Sequence, residues 1–175
     1  METGRKDIIM QKKVFQLLVD NTSGVLSRIA GLFSRRGYNI DSITAGVTAD
    51  PRYTRITIVT SGDDEILEQI EKQVAKLVDV RDIKELKPGE SVYRELALIK
   101  VRVTSARDRI DVFAVANAYR ADPVDVSPGS ITIELIGDQD KIDAFIAVLD
   151  GYEILELART GIAGLSRGIE NVTYL

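Results

Sequence analysis

In this chain of 175 residues, Asn21, Gly24, Val25, Leu26, Asn39 and Ile40 have types and spacing suited to holding a small ligand. They sit within or next to the stretch LLVDNTSGVLSRIAGLFSRRGYNI, residues 17–40. A short apolar run, Leu17-Leu18-Val19, ends in the polar turn Asp20-Asn21-Thr22-Ser23-Gly24. Val25, Leu26, Ile29, Leu32 and Phe33 follow at the spacing of one helical face. A strand that feeds a helix through a tight turn leaves free N–H groups at the helix start, and these accept an anion such as a carboxylate. Glycine at position 24 lets a ligand approach the backbone. The side-chain carbonyls of Asn21 and Asn39 suit an ammonium group without burying a protein charge. Val25, Leu26 and Ile40 suit an apolar side chain. Together these groups match a free amino acid. The same residues also fit a turn made by Asn21 and Gly24 and a strand opened by Asn39, with no ligand at all.

Catalytic chemistry finds little material. The chain has no His and no Cys. The commonest general base and transition-metal ligand are therefore missing, as are thiolate nucleophiles, disulfides and Cys-ligated metal sites. Ser27, Ser34 and Ser42 have no His to activate them. Glu65, Glu68 and Glu71 read as a solvated helix face, and Asp63-Asp64-Glu65 as the acidic start that a helix dipole favours. Gly24, Gly31 and Gly37 have neither dinucleotide nor P-loop spacing. A net charge of −4 argues against nucleic acid as the main partner. The residue composition, 45% hydrophobic and 29% charged, can bury a core. No apolar run reaches the ~20 residues of a membrane span. METGRKDIIMQKK lacks a signal-peptide core, so a cytoplasmic protein is expected.

Residues 1–10 read as a flexible lead-in. Strands are expected at 14–19, 39–48, 55–60 and 80–86, with helices at 24–36 and from 61–63 to about 77. Ser23 or Thr22 is expected to cap the first helix and Gly37 to stop it. Lys87-Pro88-Gly89 marks the expected domain boundary. The second half repeats the order, with strands at 96–103, 124–126, 131–135 and 154–160 and helices at 108–119 and 138–149. Both halves thus read βαββαβ. The fold class expected is α+β, two ferredoxin-like domains at 11–88 and 89–175, each an antiparallel sheet with helices on one face. The tail, residues 161–168, reads as a frayed end or as a docking segment. RNA-recognition domains share this element order. Here, however, the third strand, Tyr53-Thr54-Arg55-Ile56-Thr57-Ile58, offers one aromatic at its edge and no stacking platform.

Residues 14–86 resemble an ACT domain, a regulatory amino-acid-binding module. GVLSRIAGLFSRRGYNIDSI, DPRYTRITIVTSGD and LEQIEKQVAKLVDVRDI are similar to the small, regulatory subunits of acetolactate synthase. The similarity continues through RELALIKV at 94–101, KIDAFIAVL at 141–149 and ARTGIAGLSRG at 158–168. The resemblance implies a chain with no catalysis and no cofactor or metal of its own. Its partner would be a separate catalytic subunit that condenses two 2-oxo acids with thiamine diphosphate, Mg and FAD. The small subunit would activate that partner and impart feedback inhibition by valine or a related branched-chain amino acid. It also implies a homodimer of side-by-side ACT domains with the effector at their interface. Asn21 and Gly24 would come from one chain and Asn39 from its neighbour. The extra residues 1–10 depart from the family pattern. Two other readings compete with this one. A free-standing transcriptional sensor would need a DNA-binding segment, and neither half supplies a basic helix-turn-helix. A small ferredoxin-like enzyme is disfavoured by the missing His and Cys.

Overall fold

The computed structural model describes residues 10–169, so nearly all of the expected lead-in lies outside the described residues. Two compact units divide the described residues: 93–163 form one, and 10–92 together with 164–169 form the other. The division falls a few residues after the Lys87-Pro88-Gly89 punctuation, just inside strand β5, which begins at Ser91.

The first unit orders β1 (Gln11–Asp20), α1 (Val25–Arg36), β2 (Ser42–Val47), β3 (Tyr53–Gly62), α2 (Asp64–Val74) and β4 (Val80–Glu85). Its antiparallel sheet runs β2-β3-β1-β4. Strand β1 pairs with β3 along its whole length and with β4 from Phe15 to Val19. Phe15, Leu17 and Val19 alternate onto one face and pack with Ile56 and Ile58 of β3. Val25, Ile29, Leu32 and Phe33 of α1 and Leu67, Ile70 and Val74 of α2 cover that face. These spacings, i, i+4, i+7 and i+8, give α1 its buried stripe. Leu26, expected on that stripe, is exposed.

The opposite face of β1 is buried as well, at Val14, Gln16 and Leu18. Gln16 is buried among these apolar residues, and its Nε2 donates to the Gly164 carbonyl at 2.6 Å. Its Oε1 and the Ser42 hydroxyl are buried without a hydrogen-bond partner. Residues 163–166, read from sequence as a frayed or docking tail, instead form a strand, β9 (Ala163–Ser166). The Arg167 N–H continues the contact by donating to the Glu90 carbonyl at 2.8 Å. Long-range backbone bonding of this kind leaves no periodic trace in so short a small-residue run.

The second unit contains β5 (Ser91–Arg102), α3 (Ala106–Ala118), β6 (Asp122–Ser127), β7 (Ser130–Gly137), α4 (Gln139–Val148) and β8 (Ile154–Arg159). Its strand order, β6-β7-β5-β8, repeats that of the first sheet, with β9 pairing to β5 off that path. Both units are ferredoxin-like βαββαβ layers. Ala97, Ile99 and Val101 on β5, with Ile131, Ile133 and Leu135 on β7, form the inner face beneath Val112, Ala116, Ile142 and Phe145. Phe145 is fully buried and meets Tyr119 edge-on at 5.3 Å between ring centroids.

Two stability experiments check this packing. Phe145→Ala removes the largest buried side chain of the second core and should cost about 3–5 kcal/mol in chemical denaturation. At the start of α3, the Asp108 carboxylate accepts from Thr104 Oγ1, and from the Thr104 and Ser105 N–H groups, within a capping box. These bonds hold the Asp108 carboxyl down to about 2. A depressed carboxyl stabilises the fold above its unfolded value, near 4, and that contribution is lost as pH falls toward 2. Melting temperatures of Asp108→Asn should therefore fall less than those of the native chain as pH drops from about 4 to about 2.

Candidate functional site

The four helices start differently. Asp63 caps α2 by accepting from the Ile66 N–H. Ser105 and Asp108 form the capping box of α3, and Asp138 caps α4 by accepting from the Lys141 N–H. Helix α1 starts at Gly24 with no side-chain cap and no acidic residue in its first turn. Ser23 and Thr22, the expected caps, do not fill that role. Gly24 itself is the cap residue, in the left-handed region at φ 84°. A non-glycine residue would be strained there. The first-turn N–H groups carry the positive end of the helix dipole and are left without a capping oxygen.

That helix start opens into a cleft of about 260 Å3. Asn21, Gly24, Val25 and Leu26 line it, joined by Asp20, Ser27, Thr54 and Ile56 among others. Four of the six candidate residues thus come together in one chain. Asn39 and Ile40 do not line this cleft. Strand β2 begins at Ser42, not at Asn39 as expected, because Asn39 is engaged in local bonds instead of a ladder. Asn39 Nδ2 donates to Asp41 Oδ1 at 2.6 Å, and the Asn39 carbonyl accepts from Thr60 Oγ1 at 2.5 Å. The Asn39 side chain is exposed, and Ile40 packs half-buried against the first core.

Asn21 is held in one orientation. Its Nδ2 donates to the Pro51 carbonyl at 2.9 Å, which fixes the other amide atom as the acceptor. That atom, Oδ1, accepts from Thr54 Oγ1 at 3.1 Å. One further lone pair on Oδ1 remains for a ligand donor. The turn is also tied by its backbone, through the Asn21 N–H to the Arg52 carbonyl at 2.7 Å.

Two ion pairs flank the cleft. The Arg81 guanidinium grips Asp20 through two bonds and holds its carboxyl below the usual carboxylate range. Arg28 makes a two-bond pair with Asp79 at 2.5 and 2.8 Å. Its guanidinium lies over Gly24, 3.0 Å from where a Cβ would stand. Thr54 and Ile56 carry no local sequence signal for this cleft. They reach it only through the β1–β3 register, which sets Thr54 opposite Val19 and Ile56 opposite Leu17. The site can therefore offer N–H donors to an anion, a fixed carbonyl acceptor and a short apolar wall. Among the described residues no group of three or more Asp or Glu is placed to hold a metal ion, and no helix is long and apolar enough to cross a membrane.

Removing the Asn21 carboxamide should loosen this turn. Asn21→Ala deletes two side-chain bonds and should lower the unfolding free energy by about 1 kcal/mol. Faster amide exchange across residues 20–24 would accompany it, and unchanged exchange would show that these bonds do not hold the turn.

Comparison with known proteins falls on the whole of this architecture. Residues 15–82 match the family described as AHAS small subunit-like ACT domain, and residues 94–168 that described as small subunit of acetolactate synthase. The chain is 46% identical over 155 residues to the probable acetolactate synthase small subunit of Methanothermobacter thermautotrophicus, covering 89% of this chain and 92% of that protein. It is 48% identical over 158 residues to the acetolactate synthase isozyme 3 small subunit of Salmonella typhimurium, covering 90% and 96%. The crystal structure of the acetolactate synthase small subunit from Thermotoga maritima superposes with a TM-score of 0.82 at 40% identity, covering 91% of this chain and 99% of that one.

Proposed function

The chain belongs to the acetolactate synthase small-subunit family, and on that basis we propose that it activates a thiamine diphosphate-dependent catalytic subunit and makes it sensitive to valine. The observation that carries the effector assignment is the uncapped start of α1 at Gly24, set in a cleft while the other three helices are capped by their own side chains. In this reading the valine carboxylate sits on the first-turn N–H groups of α1, near Gly24 and Val25. Asn21 Oδ1 accepts from the ammonium, and Val25 and Leu26 face the isopropyl group. Asn39 and Ile40 complete the site from a second copy, whose first sheet lies beside this one. Strand β2 suits that pairing, because its sequence, Ser-Ile-Thr-Ala-Gly-Val, carries no charge and it stands at the edge of the sheet.

Inhibition then works by coupling. Valine binds one arrangement of the paired domains better than another, and the catalytic subunit prefers the arrangement that valine disfavours. A coupling of roughly 1–3 kcal/mol changes affinity many-fold, and by linkage the catalytic subunit weakens valine binding in return. This chain contributes binding and positioning, and the carbon–carbon bond is made on the partner subunit.

Mixing the chain with the catalytic subunit tests the whole reading. Activity should rise, and valine should lower it; no change in either defeats the proposal. Gly24→Asp tests the site. The new carboxylate repels that of valine and its Cβ presses on the Arg28 guanidinium over the helix start, so valine sensitivity should vanish while activation persists. Gly24→Asn brings the same Cβ without the charge and separates crowding from repulsion. Normal valine inhibition of the Gly24→Asp holoenzyme would sink the site assignment.

A further inference from the structure

The side chains around the cleft at the start of α1 differ in how firmly their hydrogen bonding is fixed. The hydroxyls of Thr22, Ser23 and Ser27 rotate, so each gives or takes a hydrogen bond as a ligand requires. Asp20 is an acceptor, but Arg81 engages both of its oxygens. The Asn21 amide has one setting. Its Nδ2 donates to the Pro51 carbonyl at 2.9 Å, and a carbonyl can only accept. The turn that carries Pro51 is itself tied. The Arg52 N–H and guanidinium bond the Asp50 carboxylate, and the Tyr53 N–H and Thr48 Oγ1 both donate to the Asp50 carbonyl. A flipped Asn21 amide would set its oxygen against the Pro51 oxygen, acceptor to acceptor.

Thr54 completes the hold. The β1–β3 register sets it opposite Val19, whose side chain lies in the core beneath the helices, so Thr54 stands on the helix side and reaches the cleft. Its Oγ1 donates to Asn21 Oδ1 at 3.1 Å. The amide is pinned at both ends, and one lone pair of Oδ1 is left over. Held in this way, Oδ1 suits a donor on the ligand and opposes an acceptor. An α-ammonium is a donor. The oxo oxygen of a 2-oxo acid is an acceptor and would meet Oδ1 lone pair to lone pair. We propose, resting on the effector reading above, that Thr54 is a positioning residue of the effector site: by fixing Asn21 Oδ1 it makes the site select an α-amino acid over the 2-oxo acid of the same carbon skeleton. The apolar wall of Val25 and Leu26 cannot make that choice, because the two ligands share their side chain. A site built around a fixed hydrogen-bonding group rejects the analogue that cannot pair with it, whereas an apolar pocket discriminates weakly between ligands of one shape.

Titration of the full-length chain, without catalytic subunit, with valine and with its 2-oxo acid tests this. The native chain should bind valine at least about a hundredfold more tightly than the 2-oxo acid. Thr54→Val keeps the shape and removes the hydroxyl, whereas Thr54→Ser keeps the hydroxyl and removes the methyl. Thr54→Val should weaken valine about tenfold, the scale of one hydrogen bond, and leave the 2-oxo acid no weaker than before. Thr54→Ser should bind valine as the native chain does. Thr54→Ala, a second variant without the hydroxyl, should match Thr54→Val, with circular dichroism confirming the fold of each. Native-like valine binding by Thr54→Val overturns the proposal and leaves the effector reading standing. Weak binding by Thr54→Ser beside normal binding by Thr54→Val also overturns it, by making Thr54 a shaper of the cleft. Equal affinity of the native chain for the two ligands overturns the selection. Valine binding without inhibition of the mixed holoenzyme defeats the regulatory reading alone, since the variants still report on the site. Absence of valine binding to the native chain overturns both.

Discussion

Strand β1 is hydrogen-bonded along both edges and buried on both faces, and the placement of the cleft follows from that. Its side chains have one permissible register, because a slip of one residue would exchange Phe15, Leu17 and Val19 for Val14, Gln16 and Leu18 on the helix side. Gln16 would then be driven into an apolar core, away from its bond to the Gly164 carbonyl. With the register held, β1 must end at Asp20, where Arg81 from β4 and the Arg52 carbonyl beside β3 secure it from either side. The turn that follows has little freedom left. Gly24 takes up the reversal in a left-handed conformation, and α1 starts at the cleft without a side-chain cap.

The contrast among the helix starts shows where local rules yield. Helices α2, α3 and α4 follow the ordinary preference for an Asp or Ser cap. Helix α1 follows Thr22 and Ser23, both good caps, yet neither is used. An internal cap would have occupied the first-turn donors that the proposed effector site leaves open. Departures from local preference of this kind collect at functional positions, because elsewhere nothing offsets their cost. Arg28 adds a second constraint. Its pairing with Asp79 places a cation above Gly24, where any side chain at that position would meet it.

Duplication of one βαββαβ layer yields two similar sheets with dissimilar margins. The inner faces of both are Ile-, Val- and Leu-rich and close under two helices. The edge strands are freer to diverge, since each pairs with a strand on one side only. An uncharged β2 and an acidic β6 stand at the same place in the two layers.

Periodicity makes the fold legible. The helical stripe of α1 and the β-branched alternation of β3, β5 and β7 are local patterns, and with the turn residues between them they locate the eight strands and four helices of the two layers. The absence of His and Cys removes catalytic readings, and the resemblance of residues 14–86 and 94–168 points to the family. Cap choice is not legible, because Thr22, Ser23 and Gly24 are all acceptable to a helix start and only the exit direction of β1 selects among them. Thr54 and Ile56 are invisible as cleft residues, since strand register joins positions more than 30 apart in sequence. Strand β9 is invisible too, because its partners lie far earlier in the chain and its small residues carry no alternation. Sequence alone determined which faces bury, through the apolar period of each segment. Tertiary structure decided which donors stayed open, because that depends on where a strand held on both sides is compelled to stop.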